Sequence, residues 1–334
     1  MKKIFLLLFV SVFSISAIYT QTDGRNKIKI GFCLANYIDL RWYKDKDYFE
    51  KKVNELGGQV LVRDASNNPE NQIHQAKELI DSGVKVLVVI PVDGKNSGSI
   101  LSEAHKHGVK VIAYDRLIMD CPLDYYISFN SVKVGELMAA YVTRLKPKGN
   151  YVLINGPVSD NNSILVKSGV LKVLDPLIEK GDVKMILNAD LNEWIELDAY
   201  FSLSNNIKDY KDIDVIITGA DILARGVLMA LDESGTAGKV LLTGQNADLQ
   251  TIQDILAGRQ TMTIYKSLRN LAETAAETAM KIARNDTTIA WNNSVFNGKT
   301  NVLSILFDPV VVDKTNIKET VIADGHLTEK EIYK

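Results

Sequence analysis

The chain has 334 residues, 46% of them hydrophobic and 24% charged, with a formal net charge of -2. That length favours two domains over one, and the composition is ordinary for a protein with real cores. Near-neutral charge and the lack of a dense basic run argue against nucleic acid as a partner.

The amino terminus reads as an address rather than as fold. Lys2 and Lys3 precede an apolar run from Ile4 to Val12, and Ser14 to Thr20 is smaller and mixed. The pattern predicts a signal peptide at residues 1–21, cut near Ala17 to Gln21. The alternative is an uncleaved anchor, but the run is short for a spanning helix, which needs about 20 residues. No cysteine ends the run, so a lipoprotein modification is not supported.

Strand and helix patterns then alternate. A strand at 27–34 leads into helical spacing at 43–56, which stops at Gly57-Gly58. A strand at 59–63 follows. Asn68-Pro69-Glu70 opens a helix through 82, with Ile73, Ala76, Leu79 and Ile80 on one face and Gly83 as terminator. The continuous apolar run at 84–90 reads as a parallel strand buried on both faces. A helix at 97–107 ends at Gly108, and strands follow at 109–114 and 125–129.

The pattern restarts near Asn130. Helices are expected at 132–145, 162–180, 196–206, 224–234 and 249–257, alternating with strands at 151–155, 183–189, 214–218, 240–243 and 261–265. A long helix at 268–284 and a strand at 303–307 come last. The chain is therefore expected to be α/β, with two βαβ-repeating halves that each build a doubly wound parallel sheet.

Enzyme signatures are scarce. There is no Gly-x-Gly-x-x-Gly after a strand, no phosphate loop and no Gly-x-Ser-x-Gly elbow. Cys33, Cys121 and the four histidines make no metal-ligand spacing, so neither metal nor cofactor is expected. The two thiols read as one packed and one incidental, against a disulfide that export would permit. His74, His105, His107 and His326 read as solvated surface.

Polar and aromatic residues instead gather at strand carboxyl ends, where open α/β sheets bind ligands. Arg41, Trp42 and Lys44 follow the first strand, and Asp115 and Arg116 follow the fourth. Asn161, Asn162, Trp194, Asn246 and Lys266 follow strands of the second half. A sugar presents hydroxyls that donate and accept, and an apolar ring face. Its binder needs planar charged groups, amides and indoles. Each residue also has a plainer reading. Asp115 with Arg116 could form a turn or salt bridge, and one asparagine of the 161–162 pair a helix cap. Trp42 and Trp194 could be half-buried aromatics, Lys44 solvated, and Arg225 surface. Their joint placement favours a ligand.

At these residues the sequence resembles the periplasmic pentose- and hexose-binding proteins of bacterial ABC importers, most nearly the D-xylose-binding proteins. The similar segments include Arg41-Trp-Tyr-Lys-Asp-Lys-Asp, Val111-Ile-Ala-Tyr-Asp-Arg, Asp160-Asn-Asn, Gly244-Gln-Asn-Ala-Asp-Leu and Gly258-Arg-Gln-Thr-Met-Thr-Ile-Tyr-Lys. The resemblance spans about 27–325. It implies a type I periplasmic binding protein fold with two lobes joined by a three-strand hinge, the first at 27–130 plus 266–300, the second at 131–265 plus 301–334. It further implies a periplasmic, non-enzymatic, monomeric receptor that closes around a monosaccharide and meets an ABC permease. Arg41, Trp42, Lys44, Asp115 and Arg116 would act from the first lobe, Asn162, Trp194 and Asn246 from the second, and Lys266 near the hinge.

Two positions depart from the xylose pattern. Ala220 stands where an asparagine is usual, and Asn246 where an aspartate is usual. The first change removes an amide and the second a charged acceptor. Either xylose binds more weakly here, or Ala220 makes room for a larger or differently substituted sugar. A sensory role, with the lobes contacting a membrane histidine kinase or chemoreceptor, is the competing reading.

Overall fold

The computed structural model describes residues 27–37, 41–206 and 210–333. The leader expected at 1–21 lies outside them. The first half builds β1 (Ile28–Leu34), α1 (Arg41–Glu55), β2 (Gly58–Asp64), α2 (Pro69–Asp81), β3 (Val86–Val89), α3 (Gly98–Lys106), β4 (Lys110–Tyr114) and β5 (Tyr125–Phe129). The second runs through α4 (Ser131–Leu145), β6 (Gly149–Asn155), α5 (Asn161–Glu179), β7 (Val183–Asp190), α6 (Glu196–Asn206), β8 (Val215–Thr218), α7 (Asp221–Glu233), β9 (Leu241–Gln245), α8 (Leu249–Leu256) and β10 (Met262–Tyr265). The chain ends with α9 (Leu268–Ala283), β11 (Asn293–Phe296), β12 (Asn301–Phe307), β13 (Val310–Val312) and α10 (Glu329–Ile332).

Local chemistry sets the main boundaries. Asn68 caps α2 by accepting from the Asn71 amide at 3.0 Å, and Pro69 takes the first helical position. All four residues of β3 are buried, as a parallel strand covered by helices on both faces requires. Cys33 and Cys121 are both free and buried in one cluster against Leu87, Val89 and Val111. Cys121 is thus packed rather than incidental. Burial pushes these thiols up to about 12 and about 11.

Two sheets result. The first has the order β11-β12-β5-β4-β3-β1-β2, the second β13-β10-β9-β8-β6-β7. Every described pairing is parallel except β11 with β12 and β10 with β13. In each sheet the chain first moves to one side and then to the other, so β1 and β3, and β6 and β8, flank a topological switch point. Loops after those strands diverge and leave a crevice between them.

The chain crosses between lobes three times, after β5, after β10 and after β12. The second crossing returns α9 to the first lobe, where Leu271, Ala272, Ala275 and Ala276 pack on Ile30, Phe32 and Val88. The last crossing corrects the expected boundary. Residues 301–307 belong to the first lobe, because β12 pairs with β5 from Leu303 opposite Tyr125 to Phe307 opposite Phe129. The switch falls at Asp308-Pro309, before β13 joins β10 in the second sheet.

Helices α4 and α5 cross at backbone contact. A Cβ on Gly135 would stand 2.0 Å from the Val166 carbonyl oxygen, and one on Gly169 would stand 2.0 Å from that of Val132. Neither neighbour is a side chain that can turn away. Gly135→Ala therefore has to push the helices apart, at a cost of about 1–3 kcal/mol. Urea unfolding is expected to show a lowered midpoint at unchanged slope. An unshifted midpoint would contradict the close crossing.

Candidate functional site

The site is built around Asp115, the first residue beyond β4. Its φ of 62° places it in the left-handed region, which aspartate tolerates better than most residues. The backbone is held there from three sides. The amide of Asp115 donates to the Ile127 carbonyl at 2.9 Å. Its own carbonyl accepts from Tyr126 OH at 3.0 Å and from Ser128 Oγ at 2.6 Å. This turn sends the side chain into the crevice. There Oδ2 accepts from Arg41 Nη2 at 2.9 Å, and Oδ1 accepts from Asn162 Nδ2 at 3.1 Å.

Asp115 is only 4% exposed. Burial alone would raise its pKa, but the charges of Arg41, Lys266 and Arg116 outweigh it and hold the carboxyl below the usual aspartate range. Arg41 opens α1 instead of lying in a loop. Its guanidinium rests 4.3 Å from the ring of Trp42, which is itself part of the first lobe's core. Its Nε donates to Asp45 Oδ2 at 3.3 Å.

The second lobe answers with a cluster at the start of α5. Asp160, and neither asparagine, caps this helix: its Oδ1 accepts from the Asn162 amide at 2.9 Å. Its Oδ2 accepts from Arg116 Nε at 2.9 Å and from Trp194 Nε1 at 3.3 Å. Arg116 therefore pairs across the lobes with Asp160, not with its neighbour Asp115. Trp194 lies against Gly156, where a Cβ would fall 2.2 Å from the indole. Asp160 was missed among the sequence candidates. Its signal was present in Asp160-Asn-Asn, since a capping carboxylate keeps a second oxygen for other partners.

These groups enclose a cavity of about 410 Å³ between the lobes. Of the strand-end residues singled out from sequence, all but Lys44 and Asn161 line it, from Arg41, Trp42, Asp115 and Arg116 on one side to Asn162, Trp194 and Asn246 on the other. Lys266 lines it from the second crossing, with its ammonium 5.7 Å from the ring of Phe129 at the first. Asn246 and Ala247 have φ of 116° and 56° just beyond β9. The Asn246 amide donates to the Ile264 carbonyl at 2.8 Å, while its buried Oδ1 meets no partner among the described residues. Ala220, the N-cap of α7, lines the same wall and offers no side-chain cap.

Lys44 faces elsewhere. It lines an adjoining space of about 520 Å³ with Arg225, Asp248 and His326, and its Nζ donates to the His326 carbonyl at 2.7 Å. Within the first turn of α1, Arg41 borders both spaces and Lys44 only the second, which a loop reading of 41–44 could not foresee. His326 is half-buried rather than solvated. Burial, with Lys44 nearby, lowers its pKa to about 4, so it is neutral at pH 7. Arg225 is not plain surface either, since it pairs with Asp248 at 2.9 Å and Glu196 at 3.4 Å. No group of three or more His, Cys, Asp or Glu among the described residues is placed to hold a metal ion.

The depressed pKa of Asp115 has a testable consequence. An acid with a lowered folded pKa contributes stability above its unfolded value, about 3.9, and loses it as pH falls through the folded value. Asp115→Asn keeps the shape but leaves a buried guanidinium short of one counter-ion, costing about 2–3 kcal/mol at pH 7. Thermal melts from pH 7 to pH 2 are expected to show variant and wild type converging only once pH has fallen below the ordinary aspartate range. A constant gap over that range would remove the ionised Asp115–Arg41 pair as the cause.

Residues 30–287 match the family model of the periplasmic binding protein domain. Over 317 residues the chain is 40% identical to the D-xylose-binding periplasmic protein of Haemophilus influenzae, spanning 95% of each chain. It is also 40% identical over 307 residues to the D-xylose-binding periplasmic protein of Escherichia coli, spanning 92% of this chain and 93% of that one. An ABC transporter solute binding protein from Clostridium phytofermentans, solved with bound β-D-glucose, superposes at a TM-score of 0.85 with 28% identity, covering 91% of this chain and 99% of that one. The two parallel-sheet lobes are those of a type I periplasmic binding protein, and the chain belongs to the periplasmic binding protein domain family.

Proposed function

We propose that this protein is an exported receptor that binds a monosaccharide in the inter-lobe cavity, works on it by binding without chemistry, and delivers it to an ABC permease. The observation that carries this reading is the make-up of the cavity wall. Both lobes contribute, and they offer a carboxylate, guanidinium groups, amides and indoles together. Such a wall matches a small ring that carries donating and accepting hydroxyls at its edge and C–H groups on its face. In this reading Arg41, Asp115 and Arg116 bond hydroxyls from the first lobe. Asn162, Trp194 and Asn246 close from the second, with Lys266 at the crossing and Trp42 bracing Arg41. Lys44 stands outside the contact set.

Two relatives at 40% identity are named for D-xylose, which supports a pentose or a related sugar. Ala220 and Asn246 temper that choice. A hydrogen bond to a charged group is worth about 1.5–3 kcal/mol against about 0.5–1.5 for a neutral one. An amide at 246 and a methyl at 220 therefore hold xylose less tightly than a carboxylate and an amide would, and leave space for an additional substituent. The periplasmic address rests on the leader pattern of residues 1–21. A single copy suffices for the cavity, because all its walls come from one chain.

The test is a thermal-shift screen of the protein from Thr22 against pentoses, hexoses and small polyols. A ligand that binds only the folded state adds about 2.7 kcal/mol at one hundred times Kd. A rise in Tm with one sugar, abolished in Trp194→Ala, is the expected result. No rise with any sugar would overturn the sugar reading. Micromolar xylose binding would show that Ala220 and Asn246 leave xylose recognition intact.

A further inference from the structure

We infer that Asp45 is a positioning residue that sets sugar affinity through Arg41, without touching the ligand itself; this rests on reading the inter-lobe cavity as the sugar site. Asp45 lies one helical turn beyond Arg41 on α1 and is fully buried. It is not among the residues that line the cavity. Its Oδ2 accepts from Arg41 Nε at 3.3 Å, and its Oδ1 accepts from the hydroxyl of Tyr114. Arg41 Nη2 is meanwhile bound to Asp115 Oδ2 at 2.9 Å, and the face of the guanidinium rests on Trp42. The guanidinium is thus gripped along two edges by two carboxylates and supported on one face. A planar fork held this way presents a fixed geometry to a ligand.

The two carboxylates behave differently. Burial raises Asp45 to about 6, with Arg41 and the Tyr114 hydroxyl pulling it back down and Asp115 pushing it up. Those three are the charged and titratable groups that act on it most strongly, from its own helix, from β4 and from the turn beyond β4. Tyr114 is itself raised well above 10, so its hydroxyl keeps its proton and donates. Asp115 is lowered and stays ionised. Between pH 7 and pH 5, then, Asp45 gains a proton while Asp115 does not. A neutral Asp45 loses its charge-assisted bond to Nε and loosens one edge of Arg41. If the ionised form of Asp45 favours the ligand, affinity falls as pH falls, and binding near pH 6 releases a proton.

The experiment is calorimetric titration of the protein from Thr22 with D-xylose, and with D-glucose as a second probe, from pH 5 to pH 8 in two buffers of different ionisation heat. In the wild type, affinity is expected to drop about ten-fold from pH 7.5 to pH 5, with proton release near pH 6. Asp45→Asn is expected to bind about ten-fold more weakly at pH 7.5 and to show a flat profile from pH 6.5 down to pH 5. Asp221 in the second lobe, raised to about 7 mainly by burial, titrates in both proteins, so the difference between them belongs to Asp45. Wild-type affinity in Asp45→Asn, or a wild-type pH profile, would overturn the proposal. Should Asp45→Asn fail to fold, Tyr114→Phe takes its place. Losing that donor moves the midpoint upward if Asp45 is the titrating group, and an unmoved midpoint overturns the proposal. If the wild type binds neither sugar, the choice of xylose or glucose is what fails. The Arg41 Nε–H signal of the ligand-free protein then decides the link: a midpoint near 6 supports it and a signal that does not titrate overturns it.

Discussion

The architecture of the cleft depends on one buried ion pair, Arg41 with Asp115, placed at the end of a parallel strand. Either charge alone, taken out of water, would cost several kcal/mol. The pair is tolerable because the rest of the local structure completes its hydrogen bonds. Tyr126 and Ser128 of β5 occupy the Asp115 carbonyl, Asp45 holds the far edge of the guanidinium, and Trp42 covers its face. The positive φ of Asp115 follows from the same arrangement. An extended backbone there would continue β4 and carry the carboxylate away from Arg41. A conformation that is unfavourable by about 1–3 kcal/mol persists because its surroundings over-determine it.

That pair also takes part in the polar contacts between the two lobes. Asn162 reaches across to both the carbonyl and the carboxylate of Asp115, and Arg116 reaches back to Asp160. These contacts are polar, as is the bond from Lys44 Nζ to the His326 carbonyl, and three crossings of the chain also join the lobes. Polar cross-lobe bonds exchange readily with water, so each is worth about 0.5–1.5 kcal/mol, or somewhat more where charged. A closure held by such bonds is poised rather than locked. A ligand that bonds both lobes at once shifts the balance by its differential affinity for the closed form, and by no more than that.

Most of the sheet and helix alternation was legible in the sequence because buried parallel strands are continuous apolar runs and their covering helices carry a 3.6-residue stripe. Four-residue β3 and sixteen-residue α9 both follow these rules. The short elements did not announce themselves. β13 is three valines after a proline, too few to show a period, and β11, Asn-Ser-Val-Phe, neither alternates nor has a buried face. The lobe boundary at 300 failed for a related reason. Periodicity identifies 303–307 as a strand but says nothing of its partner, and only the pairing of β12 with β5 assigns it to the first sheet. Within the site, residues at strand ends were found because strand ends are where ligands meet open sheets. Asp45 was not, since its contribution comes from the next helical turn, behind a residue that does line the cavity. Lys44 is the converse, placed correctly on the chain and turned toward a different space.

The far wall of the cavity, at Asn246 and Ala220, differs in kind from the side that carries Arg41 and Asp115. The Oδ1 atom of Asn246 is buried and meets no partner among the described residues, and an acceptor left in that condition costs about 1–3 kcal/mol. Beside it, α7 begins with an alanine that supplies no cap, so its first amides lack the side-chain acceptor that an asparagine or serine would provide. Asn246 is thus short of a donor, while the start of α7 lacks a side-chain acceptor and its Leu223 and Ala224 amides bond the Ala220 carbonyl. A hydroxyl is the smallest group that offers both. A ligand that places one there offsets both costs together, whereas an analogue with hydrogen in its place leaves both standing. In the proposed reading Asp115 and Arg41 would bond hydroxyls that many sugars share. The choice between sugars would then fall to the corner at Asn246 and Ala220, because specificity is a difference between two affinities and contacts common to both ligands cancel from it.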